Sequence, residues 1–197
     1  GDWSSDVCSS DLMKALTQEL IQNAALAVAG SHKVTHHDGR VSDLGGQWRE
    51  VNFYDAISEK TGETVSPQSS FDDLKKIAHN VGLKIDPKWI HGKLAEEIFE
   101  HVYKEHLQTP TFVMGYPVDT SPLVREHRET PGIVEKWDLY VDGFELATGY
   151  SELVDPVIQR ERLVEQAKLG AKGDLEAMQV DEDFLRAMEH GMPPMGG

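Results

Sequence analysis

The chain has 197 residues, 34 Asp and Glu against 19 Lys and Arg, and a formal charge of −15. That balance argues against a nucleic-acid-binding surface, because phosphate contacts need Lys and Arg, and it suits a site that handles a metal–nucleotide complex. One cysteine, Cys8, excludes a disulfide framework and a thiolate metal site, and no apolar run reaches the length of a membrane span.

Residues 1–12, GDWSSDVCSSDL, follow no secondary-structure pattern and back-translate onto a sequencing adapter, so they are expected to be an artefact. They hold the single cysteine and three aspartates; without them the charge is −12 over the 185 residues 13–197, a size expected to form one domain. A cytoplasmic location fits a chain without cysteine.

MKALTQELIQNAALAVA, Met13 to Ala29, predicts a helix with Leu16, Leu20, Ile21, Ala24 and Ala25 inward and Gly30 as its stop. HKVTHHDGRV predicts a hairpin turning at Asp38-Gly39, with His36 and His37 at the turn; adjacent strand residues point to opposite faces, which disfavours one metal between them. Gln47 to Ile57 predicts a strand leading into a short helix. Ser70-x-x-Asp73 predicts a capping box opening a helix that Gly82 closes, and Lys88 to Leu107 a longer amphipathic helix with Leu94, Ile98, Phe99, Val102 and Tyr103 inward.

The densest signal lies between Pro110 and Pro156. Asp142-Gly143, flanked by alternating apolar residues, predicts two antiparallel strands, Glu135 to Val141 and Phe144 to Tyr150. With a two-residue loop Val141 faces Phe144, Tyr140 faces Glu145 and Asp138 faces Ala147. Asp138 and Glu145 then project from one face as diagonal neighbours roughly 7–8 Å apart, within reach of one Mg²⁺. The same spacing also suits two ordinary acids on a solvated sheet face. Thr148, Tyr150 and Glu152 lie on the opposite parity; one extra residue would unite the two groups, and a β-bulge near Ala147 to Gly149, which Gly149 suggests, would turn Glu152 onto the carboxylate face. Pro156 is expected at a first helical position, with Arg160, Arg162 and Lys168 on a solvated helix face. Asp181 to His190 reads as a last short helix stopped by Gly191.

The runs PTFVMGYPVDTSPLVREH, GFELATGYSELVDP and DEDFLRAMEHGMPPMGG, in that order and spacing, closely resemble the catalytic domain of class II lysyl-tRNA synthetases from about Thr109 to Gly197, and more loosely back to Met13. The family has Asn where Thr148 stands, Phe at Tyr150 and Glu at Asp138. Only Thr148 changes the chemistry, since it shortens a side chain that in the family helps hold the amino acid. The resemblance implies an α+β fold, an antiparallel sheet flanked by helices, here incomplete. It implies that Asp138 and Glu145 hold the Mg²⁺ of ATP, that Thr148 and Tyr150 line the lysine pocket, and that Glu152 pairs with the lysine ammonium; no residue is implied as a catalytic acid, base or nucleophile.

The implied reaction is activation of L-lysine by ATP to lysyl-adenylate, then transfer to tRNA(Lys), by a protein that is a homodimer when complete and not bound to a membrane. The arginine of motif 2 would precede Met13 and that of motif 3 would follow Gly197. The expectation is therefore a partial domain, residues 13–197, cut at both ends and inactive in isolation for want of motif 1, motif 2 and the end of motif 3. Two alternatives stay open: a paralogue that ligates lysine to a protein or lipid, and a non-catalytic synthetase-like binding module.

Overall fold

In a computed structural model the chain is described at residues 9–171 and 177–197. Helix α1 (Ser9–Ala29) precedes a small hairpin, β1 (Lys33–Thr35) and β2 (Val41–Asp43). Strand β3 (Arg49–Asn52) runs directly into α2 (Phe53–Thr61), followed by α3 (Phe71–Asn80) and α4 (His91–Tyr103). Then come β4 (Thr111–Met114), the hairpin β5 (Lys136–Val141) and β6 (Phe144–Tyr150), and helices α5 (Pro156–Ala171) and α6 (Glu182–Glu189).

The principal sheet has the order β3-β4-β5-β6. Its pair β5–β6 is antiparallel, as the sequence predicts, β4 joins β5 antiparallel as well, and β3 joins β4 in parallel. The three helices α2, α3 and α4 form the crossover that a parallel pair requires. Alternation along the strands then builds two cores. Phe112, Trp137 and Leu139 point to the side covered by α1, with Trp48, Met13 and Ile21. Val113 and Tyr140 point to the other side, with Tyr116 and the buried faces of α2 and α4 around Phe53, Ile57, Leu94, Ile98 and Phe99.

The expected inward face of α1 is only partly right. Ala25 is buried and Ile21 packs on the sheet, but Leu16 and Leu20 are exposed at 56% and 64%. The helix sets Met13 and Ile21 against the core of Trp137 and Phe112, and a stripe one step round cannot reach the same sheet. Residues 9–12 supply its first turn, where the Ser10 carbonyl accepts a 2.8 Å hydrogen bond from Trp137 Nε1.

The caps follow the sequence closely. Ser70 Oγ accepts from the Asp73 N–H, Asp155 Oδ1 accepts from the N–H groups of Val157 and Ile158, and Asp181 Oδ1 from those of Asp183 and Phe184. Helix α4 starts later than expected, at His91, and its N-terminus is capped from a distance: Asp119 Oδ2 accepts from the Gly92 N–H at 2.9 Å. The basic face of α5 is not simply solvated. Arg160 forms a two-pronged pair with Glu182 of α6, and Arg162 is half-buried against the carbonyls of Ser121 and Val124.

The Asp38-Gly39 hairpin forms as predicted, and its His36 Nε2 lies 2.6 Å from Ser42 Oγ and 3.2 Å from Asp142 Oδ2, so the two Asp-Gly hairpins touch. Among the described residues no helix is long and apolar enough to cross a membrane.

Candidate functional site

The site rests on the β5–β6 hairpin. Asp142 and Gly143 both adopt positive φ, 54° and 74°, as a two-residue primed turn demands, and Val141 pairs with Phe144 and Tyr140 with Glu145 as expected. Beyond that pair the register departs from the sequence reading. Leu146 is an extra residue, so Leu139 pairs with Ala147, Asp138 with Thr148 rather than Ala147, and Lys136 with Tyr150. The bulge is therefore real but sits one step closer to the turn than Ala147 to Gly149.

Gly149, the residue that suggested the bulge, is glycine for another reason: a Cβ there would lie 2.2 Å from Trp137 Cζ2, so the indole of β5 occupies the space a side chain would need.

The bulge puts Lys136, Asp138 and Tyr140 of β5 on one face with Glu145, Thr148 and Tyr150 of β6. Two adjoining cavities open on that face and share Lys136 and Glu145. One, about 280 Å³, lies against α4 and is lined by Asp138, Tyr140 and Tyr116 on the sheet side and by Glu96, Glu97 and Glu100 on the helix side. The other, about 250 Å³, is lined by Thr148 and Tyr150 and by the segment 120–124. Of the five residues singled out from the sequence, four thus converge. Glu152 lies just past β6, half-buried, pairing with Val124 across an isolated bridge and donating its N–H to the Met195 carbonyl. It lines neither cavity, although its charge raises the pKa of the Tyr150 phenol after burial has done so. Burial alone pushes the Glu152 carboxyl up.

Electrostatics set the character of the larger cavity. Asp138 is 3% exposed; its Oδ2 is 3.0 Å from Lys136 Nζ, while its Oδ1 is buried with no hydrogen-bond partner. The Glu145 carboxyl is pushed up by burial first and by the charge of Asp138 second, with Lys136 opposing both. Glu96 is likewise raised by burial, against the hydrogen bond from Thr120. Burial raises the phenols of Tyr116 and Tyr140 too, and the charge of Asp138 adds to both. Thr148 Oγ1 is occupied by the Trp137 carbonyl at 3.3 Å.

An orphaned carboxylate oxygen beside a second carboxylate is a hard-oxygen donor set of the kind Mg²⁺ takes. Among the described residues no three His, Cys, Asp or Glu side chains already converge on one point, so two protein carboxylates would leave the remaining positions to phosphate and water.

The sequence reading missed Lys136 and the α4 acids. Lys136 stands two residues before Asp138, hence on its face, and Glu96, Glu97 and Glu100 have the three- and four-residue spacing of one helix surface. Both signals are visible in the sequence once the sheet face and the packing of α4 on it are known.

The family model for class II tRNA synthetases (D, K and N) matches residues 4–197. The lysine--tRNA ligase of Kineococcus radiotolerans is 57% identical over 188 residues, 95% of this chain and 38% of that protein. The lysine--tRNA ligase of Mycobacterium tuberculosis is 49% identical over 188 residues, 92% of this chain and 37% of that protein. A lysylphosphatidylglycerol biosynthesis bifunctional protein of Mycobacterium avium is 47% identical over 184 residues, 91% of this chain and 16% of that protein. The chain thus spans a little over a third of the length of the two ligases. With its bulged hairpin, its helix-flanked sheet and a match along nearly its whole length, the chain belongs to the class II tRNA synthetases of the D, K and N group.

Proposed function

We propose that this chain carries part of the amino-acid activation site of a lysine--tRNA ligase, with Asp138 and Glu145 holding the Mg²⁺ of ATP and Thr148, Tyr150 and Glu152 forming the lysine side of the site. The observation that carries this reading is the bulge at Leu146, which gathers four of these five residues on one face, next to an unpartnered oxygen of Asp138.

In the reaction the lysine carboxylate attacks the α-phosphorus of ATP, pyrophosphate leaves, and lysyl-adenylate then passes its acyl group to the terminal ribose of tRNA. Bound Mg²⁺ would supply charge neutralisation on the phosphates. The chain's own part is alignment and field. Asp138 and Glu145 fix the position of the metal–nucleotide, Tyr150 offers a ring wall, and Glu152 is the carboxylate that answers an ammonium removed from water.

Among the described residues no arginine lines either cavity, and a donor aimed at developing phosphate charge is typically worth about 10²–10³ in rate. The 197-residue chain by itself is therefore expected to be silent in lysine-dependent ATP–pyrophosphate exchange. Cytoplasmic action, a homodimeric complete protein and tRNA(Lys) as acceptor belong to the same proposal.

The likeness to the lysylphosphatidylglycerol protein favours a second reading, lysine activation for a lipid acceptor. Both readings share the activation step and part only at the acceptor.

The test is Glu152→Gln in a ligase carrying this segment. Glu152 is half-buried, and bound lysine would take the pair out of water; losing one member of a pair so buried costs about 3–5 kcal/mol, or two to four decades in kcat/KM. Lysine activation should weaken at least about a hundredfold while the ATP KM stays within about threefold. Since Asp155 and not Glu152 caps α5, thermal stability should hold. Unchanged lysine kinetics would refute the pocket assignment.

A further inference from the structure

We propose that Lys136 is an internal occupant of the cation position at Asp138, whose ammonium competes with a divalent metal for that carboxylate. The inference rests on the reading of Asp138 and Glu145 as metal ligands.

Both oxygens of Asp138 are closed. Oδ2 is covered by Lys136 Nζ at 3.0 Å, Oδ1 is buried without a partner, and the side chain is 4% exposed. An incoming cation therefore meets the Lys136 ammonium first. That ammonium also lies 4.4 Å from the centroid of the Tyr116 ring, a second stabilising contact for a cation held at this spot. The place is thus built for positive charge and already has one.

Mg²⁺ or Mn²⁺ bonds oxygen at about 2.0–2.2 Å, so a dication on this carboxylate would lie within a few ångströms of the ammonium paired with Oδ2, and the two positive charges repel. Lysine, by contrast, is a movable charge on four methylenes. The side chain of Lys136 is 22% exposed and lines the α4 cavity, the Thr148–Tyr150 cavity and a third pocket beside Glu135. It can leave Asp138 for the Thr148–Tyr150 side without leaving the site, where Glu145 is still a counter-charge. Binding of metal would then deliver the Lys136 ammonium to the cavity proposed for the amino acid.

The exchange predicts that the resident ammonium weakens metal binding. The experiment is direct titration of the 197-residue chain with Mn²⁺ alone, following free Mn²⁺ by electron paramagnetic resonance, for wild type, Lys136→Met, Lys136→Gln, Lys136→Arg and Asp138→Asn. Removing a unit charge adjacent to the ligand should tighten Mn²⁺ binding roughly tenfold to a hundredfold in Lys136→Met and Lys136→Gln, and Lys136→Arg should stay near wild type. Lys136→Gln keeps a hydrogen-bond donor for Asp138, so it reports even if the methionine variant does not fold. Mn²⁺ should also raise the melting temperature of the neutral variants more than that of wild type.

A purely structural ion pair would lower stability in the neutral variants and leave their metal affinity unchanged. Affinity that depends on Asp138 but is equal or weaker in both neutral variants overturns the role of Lys136 and leaves the metal ligands standing. Mn²⁺ binding that is insensitive to Asp138→Asn, or absent from wild type and neutral variants alike, overturns both.

Discussion

Glu96 shows how a single half-buried acid reveals its environment. It faces the larger cavity from α4, and burial raises its carboxyl pKa more than Thr120 and Lys93 lower it. A carboxyl that binds its proton more tightly in the folded state adds stability in acid and loses that contribution as pH rises through the folded value. At neutral pH the charged form is therefore a burden on the fold. Glu96→Gln, neutral at every pH, should melt higher than wild type at pH 7, and the gap should close below the ordinary carboxylate range. A thermal melt series across pH checks this; a variant that is less stable at neutral pH would mean that the Glu96 charge is compensated by its neighbours.

The β5–β6 hairpin shows what a strand pattern can and cannot say. Its turn, both strands and the Tyr140–Glu145 pair were legible because Asp-Gly between alternating apolar residues admits few other backbones. The need for an extra residue was legible too, since Thr148 and Tyr150 stood on the wrong parity. Its position was not, because any residue between Glu145 and Thr148 corrects the parity equally well, and Gly149 drew attention for a packing reason that only the Trp137 ring discloses.

That reason is testable. Gly149→Ala puts a methyl into space filled by Trp137, a residue 2% exposed in the core, and should destabilise by about 1–3 kcal/mol in denaturant unfolding. A neutral effect would mean that the indole can move aside. The exposed Leu16 and Leu20 of α1 are the complementary case: the sequence shows an apolar face, but which stripe meets the sheet is decided by the Trp137 and Phe112 rings.

At the scale of the whole molecule, α1 on one face of the sheet and α2 to α4 on the other fix β5 between two cores, whereas the edge strand β6, with Glu145 and Thr148, stays largely open. That rigidity is what a site working by alignment requires. It also explains why Lys136 and the α4 acids escaped notice in the sequence: their part depends on a helix packing across the sheet from residues some 40 positions away in the chain.

The acidic balance of the chain has a local counterpart here, five carboxylates against two lysines around one cavity, which favours a cationic or metal-bound ligand.

The most direct measurement is a Mg²⁺ titration of lysine-dependent pyrophosphate exchange. The enzyme would be the Kineococcus radiotolerans ligase with its matching segment replaced by this chain, as such and with Glu145→Gln. With one of two carboxylate ligands neutralised, the half-saturating Mg²⁺ concentration should rise by about tenfold or more and the rate at low Mg²⁺ should fall accordingly. Superimposable Mg²⁺ curves for the two proteins would contradict the account and return Asp138 and Glu145 to ordinary acids on a sheet face.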